Sequence, residues 1–447
     1  MTLPANVKNT IEEYTDLTKA ILDTASAKGA TSAEVCLTNS SGFSTTVRMG
    51  AVDTVEYHRE KALAITVYYG QRKGSASTTD LAKDAWKTTL DKACSIAKYM
   101  EEDKDVGLAE KKWMAFDYQD LALYYPWNLT PEQAVECAIN AEKAGFAADK
   151  RINNSDGTSL TTSENIYVYA NSHGFIGAVP TTSHSFNCVL VGKEGSSMQR
   201  EYEYTVARDH LDLQAFDKVA KAAADKTIKR LHARRIKTCK APVIYAANVA
   251  KGLLRHLVSA VSGGNLYRQS TFLLDQLGKQ IFPDFVHIHE MPHLHKAMGS
   301  APFDSEGVIT QPRDIIKDGI LSSYFLSSYS ARKLGMQTTG NAGGVHNLTL
   351  QPQEQDLAQL IKTMHKGLVI TEVMGPGVNI VTGNYSRGAV GFWVEQGEIQ
   401  FPVEEITVAS NLKDMFQQIK GCANDVDTRG SVRTGSILIE EMMIAGE

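Results

Sequence analysis

No two cysteines in this chain stand close enough to form a C-x-x-C pair. The six present (Cys36, Cys94, Cys137, Cys188, Cys239 and Cys422) are scattered from one end to the other. That spacing excludes a zinc knuckle and suits reduced thiols better than a disulfide framework. Excess positive charge is missing too: 46 Lys and Arg face 51 Asp and Glu, for a net charge of -5. A general binder of nucleic acid or of a membrane surface is therefore not expected. No apolar run approaches the length of a membrane-spanning helix. The polar, acidic opening MTLPANVKNTIEEYTD lacks the basic flank and apolar core of a signal peptide. The cytoplasm is the expected compartment. Also absent are G-x-S-x-G, a P-loop and G-x-G-x-x-G in a strand–turn–helix setting, short-period repeats and low-complexity tracts.

What remains is a globular composition, 43% hydrophobic and 22% charged over 447 residues. That length is too great for one ordinary core, so two domains are expected. Apolar positions at helical spacing (Ile11, Leu17, Ile21, Leu22) predict a helix over 7–29 that stops at Gly29. Four strand-like runs follow: 33–38, 43–49, 52–58 and 62–69. A helix is expected near 80–99, carrying Trp86, Leu90 and Ile96. Thr130-Pro131-Glu132-Gln133 reads as a capping box opening a helix to about Gly145. A strand-rich meander to about 205 and a helix over 213–234 come next. The segment Lys226–Lys240 holds seven Lys or Arg and no acid, and reads as a solvated helix end and linker. Beyond it, a strand at 243–245 feeds a helix at 247–261. Two hairpins turn at Asp318-Gly319 and Gln396-Gly397, and a closing strand is expected over 436–445. The class is α+β: two domains with largely antiparallel or mixed sheets flanked by helices, the C-terminal one β-rich. Their expected limits are 1–235, divisible into 1–110 and 111–235, and 241–447.

His289-Glu290-Met291-Pro292-His293 spells H-E-x-x-H. On a helix, this motif sets two histidines one turn apart to hold Zn²⁺ beside a glutamate base. The context opposes a helix. Pro292 would fall inside it, at a cost of about 3 kcal/mol, and Phe285–Ile288 alternates like a strand. A strand running into a polar loop is the expectation, with His287, His289, His293 and His295 available at most for an opportunistic surface site. Farther on, Gly383–Gly388 (GNYSRG) packs Asn384, Tyr385, Ser386 and Arg387 between glycines. These residues form either a structural turn or a set of donors for a peptide carboxylate or carbonyl.

Several longer stretches carry a family resemblance. Gly375–Phe416 (GPGVNIVTGNYSRGAVGFWVEQGEIQFPVEEITVASNLKDMF) closely resembles the signature region of the PmbA/TldE branch of the TldD/PmbA metallopeptidase family. Gly70–Ser77 (GQRKGSAS), Phe303–Val308 (FDSEGV) and Ser327–Gly344 fit the same branch, in the same order. The resemblance implies a division of labour. The TldD sister subunit carries H-E-x-x-x-H on a helix, with a further Cys ligand near its C-terminus. The corresponding helix here is Leu253–Ser262, with Arg255 at the first His, His256 at the Glu and Ala260 at the second His. Ser431 falls where the Cys is expected.

A catalytic zinc needs about three protein ligands, so no catalytic residue and no cofactor is expected in this chain, and zinc is expected in a TldD-like partner. Implied with it are unfolded peptides as substrates, docked by strand addition, and a homodimer when the partner is absent. Relatives are connected with peptide-antibiotic maturation and antitoxin degradation. Arg255 and His256 could still hold a substrate carboxylate. The alternatives are a stand-alone peptide-binding adaptor, or an independent zinc peptidase using His289, Glu290 and His293.

Overall fold

The computed structural model describes residues 3–447. Helix α1 (Ala5–Ala27) buries Val7, Tyr14, Ile21 and Ala25, which lie on one stripe, and the chain leaves it through Gly29 at φ +84°. Strands β1 (Ser32–Arg48), β2 (Ala51–Tyr69) and β3 (Arg72–Thr78) follow, then α2 (Lys83–Tyr99). After α3 (Pro131–Ala148), strands β4 (Ile152–Asn171), β5 (Ile176–Glu194) and β6 (Ser197–Ala207) lead into α4 (Phe216–Lys229). The strands form one antiparallel sheet in the order β3-β2-β1-β4-β5-β6.

The period-2 burial of β1 explains how four helices cover this sheet. Val35 and Leu37 pack with α1 and α2, while Phe43 and Leu160 pack with α3 and α4 farther along the same face. The four short strands expected between residues 33 and 69 are in fact two long ones. The polar stretch that suggested a break, Asn39 to Gly42, is laddered to β2 on one side and β4 on the other. Side-chain polarity marks its faces without ending the strand. Helix α3 starts with the capping box read from sequence: the Thr130 hydroxyl accepts from the Gln133 N–H and the Gln133 side chain accepts from the Thr130 N–H.

From residue 239 the sheets become mixed. Strand β7 (Cys239–Tyr245) enters α5 (Ala247–Ala260) and the short α6 (Gly263–Tyr267). Next come β8 (Ile288–Glu290), β9 (Arg313–Lys317), β10 (Ile320–Leu321), α7 (Ser328–Lys333), β11 (Leu348–Leu350) and α8 (Leu357–Met364). The chain ends with β12 (Gly367–Met374), β13 (Asn384–Glu395), β14 (Glu398–Asn411), α9 (Leu412–Gln417), β15 (Ile419–Cys422), β16 (Val432–Arg433) and β17 (Ile437–Ala445). Both expected hairpins are present, as β9–β10 and β13–β14.

One sheet runs β10-β9-β8-β11-β16. The other runs β14-β13-β12-β7-β17-β15, and β14 also pairs with β17, so five strands close on themselves. Closure needs sharp strand curvature, supplied by bulges near Ile370, Ala389, Trp393 and Ile439. At Gly391 a Cβ would stand 1.9 Å from the Val369 carbonyl oxygen, so only glycine lets the two strands meet.

The two halves are tied by packing and by charge. Phe303 and Val308 join Met114 and Phe175 in a buried cluster. Arg332 donates to the carbonyls of Asp105, Gly107 and Leu108. The supposed linker cations are mostly paired. Arg230 is buried between Glu201 and Glu372, Arg235 meets Glu405, and Lys240 meets Glu441. The acids missing from the local sequence are supplied across the fold.

Candidate functional site

The apolar stripe of α5 (Ala250, Leu253, Leu254, Leu257, Ala260) packs on the β-rich core and decides where the remaining positions point. Arg255 is exposed, His256 is half-buried and Ala260 is fully buried. The His256 ring lies 6.0 Å from that of Tyr385, at 73°. Burial, and secondarily the Arg387 guanidinium, push the imidazole down to about 4, so it is neutral near pH 7. The helix and the GNYSRG segment, far apart in sequence, therefore meet.

That segment opens β13 and is not a flexible turn. Strand alternation separates its four polar residues. Tyr385 is buried, its ring 6.3 Å from that of Tyr245, and Arg387 lies on the same side with its Nε 3.4 Å from the Met374 carbonyl. Asn384 and Ser386 are exposed on the other side. Their backbone is already engaged: the Ser386 N–H donates to the Gly377 carbonyl at 2.7 Å, and the Asn384 carbonyl accepts from the Asn379 N–H at 2.9 Å.

One turn before Arg255, Lys251 sits on the buried face of α5. Its Nζ is 2.7 Å from Asp427 Oδ2, and Asp427 also receives the Arg429 guanidinium through Nε and Nη2 at 3.0 and 2.9 Å. Arg429 in turn stacks on Tyr204, 4.0 Å from the ring centre, and pairs with Glu203. This network fixes the segment before β16 against α5. Sequence reading missed it, although a lysine between Ala250 and Leu253 on an apolar stripe is a usable signal for a buried pair. Ser431, in the same segment, engages through its backbone carbonyl, which accepts from the Leu348 N–H at 2.8 Å. Zinc does not fit this donor set. His256 is the one ligating side chain among Arg255, His256 and Ala260, and a permanent cation stands beside it.

The H-E-x-x-H stretch lies in β8 and the turn after it, between β9 and β11. His289 and Glu290, being consecutive in a strand, face opposite ways. Glu290 is 1% exposed and accepts from Asn341 Nδ2 at 2.9 Å and from the His346 N–H at 2.6 Å. Burial raises its carboxyl, with those donors pulling against it. His287 pairs with Asp314 at 3.0 Å, and His293 Nε2 lies 3.0 Å from Thr310 Oγ1. Glu290 is thus part of the core rather than of a polar loop, and the two histidines and the glutamate do not converge. Among the described residues, no group of three or more His, Cys, Asp or Glu is arranged to hold a metal ion.

Asp304, in the FDSEGV stretch, is also buried. Its carboxyl accepts the N–H groups of Glu306, Val308 and Ala342, yet burial pushes it up to about 7. A 540 Å³ cavity lies elsewhere, lined by Lys8, Tyr118, Leu121, Tyr124, Tyr125 and Pro180. No described helix is long and apolar enough to cross a membrane.

Comparison with known proteins finds a family match from residue 33 to residue 446. Sequence models of PmbA/TldA metallopeptidase domains match in order: domain 1 over 33–97, the central domain over 124–231 and the C-terminal domain over 238–446. Metalloprotease PmbA of Escherichia coli O157:H7 is 49% identical over 95% of this chain and 94% of its own length. The Metalloprotease PmbA homolog of Haemophilus influenzae is 46% identical over 94% and 93%. A solved protein of Bacteroides thetaiotaomicron superposes with a TM-score of 0.91 at 28% identity, covering 97% of this chain and 99% of that one. TldE from Thermococcus kodakarensis shares the fold, with a TM-score of 0.84 at 20% identity and coverage of 96% and 100%. The chain belongs to the PmbA/TldD metallopeptidase family.

Proposed function

We propose that this chain is the PmbA/TldE-type subunit of a two-chain cytoplasmic metallopeptidase that cleaves unfolded peptides, and that its TldD-like partner supplies zinc and the general base. One observation carries the reading. On α5, the positions that correspond to the sister subunit's ligands and base hold an exposed arginine, a half-buried neutral histidine and a fully buried alanine. One ligand beside a fixed cation cannot replace three. In the second candidate set, Glu290 and His293 are engaged by Asn341 and Thr310, and His289 faces away from Glu290 across the strand.

In this reading the chain contributes a wall of the peptide chamber, and Arg255, exposed on α5, is suited to hold a substrate carboxylate. Asn384 and Ser386, exposed at the start of β13, are candidate peptide contacts, while Tyr385 and Arg387 face α5 and position His256. The experiment is reconstitution. The purified chain, a TldD-like subunit and the mixture are each offered an unstructured peptide, with and without chelator. Chelator-sensitive cleavage is expected from the mixture and not from this chain alone. Robust cleavage by this chain alone, abolished in Glu290→Gln, would overturn the reading.

A further inference from the structure

Opposite its apolar stripe, α5 carries a second face. Gly252, Arg255, His256 and Ser259 recur there at helical spacing and form one strip, and a Cβ at Gly252 would meet open space. The strip continues past α6. Asn265 Nδ2 donates to the Ser259 carbonyl at 2.8 Å, and Asn265 Oδ1 accepts from Arg268 Nη2 at 3.3 Å. On the other flank, β13 brings Arg387 close enough to His256 for its charge to be felt at the imidazole.

Among the described residues, none of Arg255, Arg268 and Arg387 pairs with a carboxylate. Arg268 donates to Asn265 and the Tyr267 hydroxyl, Arg387 to the Met374 carbonyl, and Arg255 is exposed with no polar partner. The sequence accounts for the imbalance: residues 241–274 and 373–394, which build the strip, contain no Asp or Glu. Acids at its borders are already matched. Glu372 pairs with Arg230, and Asp103, reached from Tyr267 through Tyr329, pairs with Lys333. The other cation of α5, Lys251, is buried on Asp427. Three uncompensated positive charges therefore share one surface, in a chain whose net charge is -5. A surface of one sign attracts and orients ligands of the other.

We propose that this strip is the docking surface for an acidic peptide, one carrying two or more Asp or Glu side chains. The inference narrows the substrate class of the peptidase reading and rests on it. Spacing favours side chains over a peptide terminus. One carboxylate occupies one guanidinium, through a two-point hydrogen-bonded pair. Arg255 and Ser259 are one helical turn apart, about 6 Å along the axis, and Arg268 lies beyond Ser259. A single C-terminal carboxylate cannot serve all three cations. Three cations on a net-negative protein are also a weak hold on a nucleic-acid backbone, whose affinity grows with the number of phosphates neutralised.

The test is fluorescence anisotropy of the full chain with three unstructured peptides of one length, labelled at the N-terminus. The first carries several Asp and Glu and an amidated C-terminus. The second has each acid replaced by Asn or Gln, and the third is that neutral peptide with a free C-terminus. The first should bind about tenfold or more tighter than either of the others, and its advantage should shrink as salt rises. Arg255→Gln, Arg268→Gln and Arg387→Gln should each weaken the acidic peptide by about threefold or more and leave the neutral ones unchanged. Arg387→Lys, which keeps the charge, should retain most of the affinity. Arg59→Gln, which removes an exposed cation from the N-terminal sheet, should change nothing.

Circular dichroism confirms that each variant is folded. Binding is read on this chain whatever the reconstituted complex cleaves, so failure of the docking surface and failure of the peptidase reading give different results. In a complex that cleaves, the acidic peptide should also have the higher kcat/KM. Equal affinity for acidic and neutral peptides would overturn the proposal, as would affinity that follows the free C-terminus. So would an acid preference that survives Arg255→Gln combined with Arg387→Gln, or tighter capture of a single-stranded oligonucleotide than of the acidic peptide.

Discussion

Replacing Glu290 by glutamine separates a catalytic motif from a structural one, because the two readings predict opposite losses. The carboxylate is buried and accepts from the Asn341 amide and the His346 N–H. Glutamine keeps one acceptor oxygen and turns an NH₂ group toward a donor. One charge-assisted hydrogen bond is lost, worth about 1.5–3 kcal/mol when buried. The sign with pH is also fixed. Burial raises the folded carboxyl above its ordinary value, so the folded state binds more protons than the unfolded one between the two values. Glu290 thus contributes most below the ordinary carboxylate range, and that contribution falls as pH rises through the folded value. Glutamine, which does not titrate, removes this dependence. Urea unfolding followed by tryptophan fluorescence should show a lower midpoint for the variant, and the gap should narrow as pH rises above about 4.3. Peptide cleavage by the reconstituted complex should be unchanged per folded molecule. An unmoved midpoint with lost cleavage would refute the structural reading.

Three further substitutions probe other parts of the account. Asp427→Asn strands the buried Lys251 ammonium and should cost about 3–5 kcal/mol in unfolding free energy. Burial opposes ionisation of Asp427, but Arg429 and Lys251 more than offset it and hold the carboxyl far below the usual range. Its contribution is therefore present above the unfolded value and lost on acidification, so the wild-type advantage should shrink below about pH 4. Arg387→Ala should raise the His256 pKa from about 4 without restoring the ordinary value, because burial is the larger cause. An NMR titration that shows no movement would contradict the contact between β13 and α5. Thr130→Ala removes the capping box of α3 and should lower stability by about 0.5–2 kcal/mol in chemical denaturation.

Local chemistry made parts of this fold legible, and long-range contacts hid the rest. The Thr130–Gln133 box, the Asp318-Gly319 and Gln396-Gly397 turns and the strand entering His289 each carry their instruction within a few residues. The β1 and β2 strands were legible only in pieces, because Asn39 to Gly42 owes its extended form to partners on two neighbouring strands. GNYSRG suggested a turn by its glycines, yet ladder bonds to β14 make it the start of a strand. For the candidate site, the family resemblance located the α5 positions. Neither the approach of His256 to Tyr385 nor the Lys251–Asp427–Arg429 network follows from spacing, since each joins residues from distant parts of the chain. Polarity misled a second time where the strand was expected to run into a polar loop: Glu290 is among the least exposed acids because a neighbouring loop supplies its donors.

In the proposed function, this member of a metallopeptidase family does not bring its own catalytic metal. Elemental analysis of the chain purified alone, and then in complex with a TldD-like subunit, tests it most directly. Zinc well below one equivalent and easily stripped is expected in the isolated chain, and about one equivalent in the complex, retained when His256 or Glu290 of this chain is replaced. One tightly held zinc in the isolated chain, lost on His256→Ala or Glu290→Gln, would contradict it.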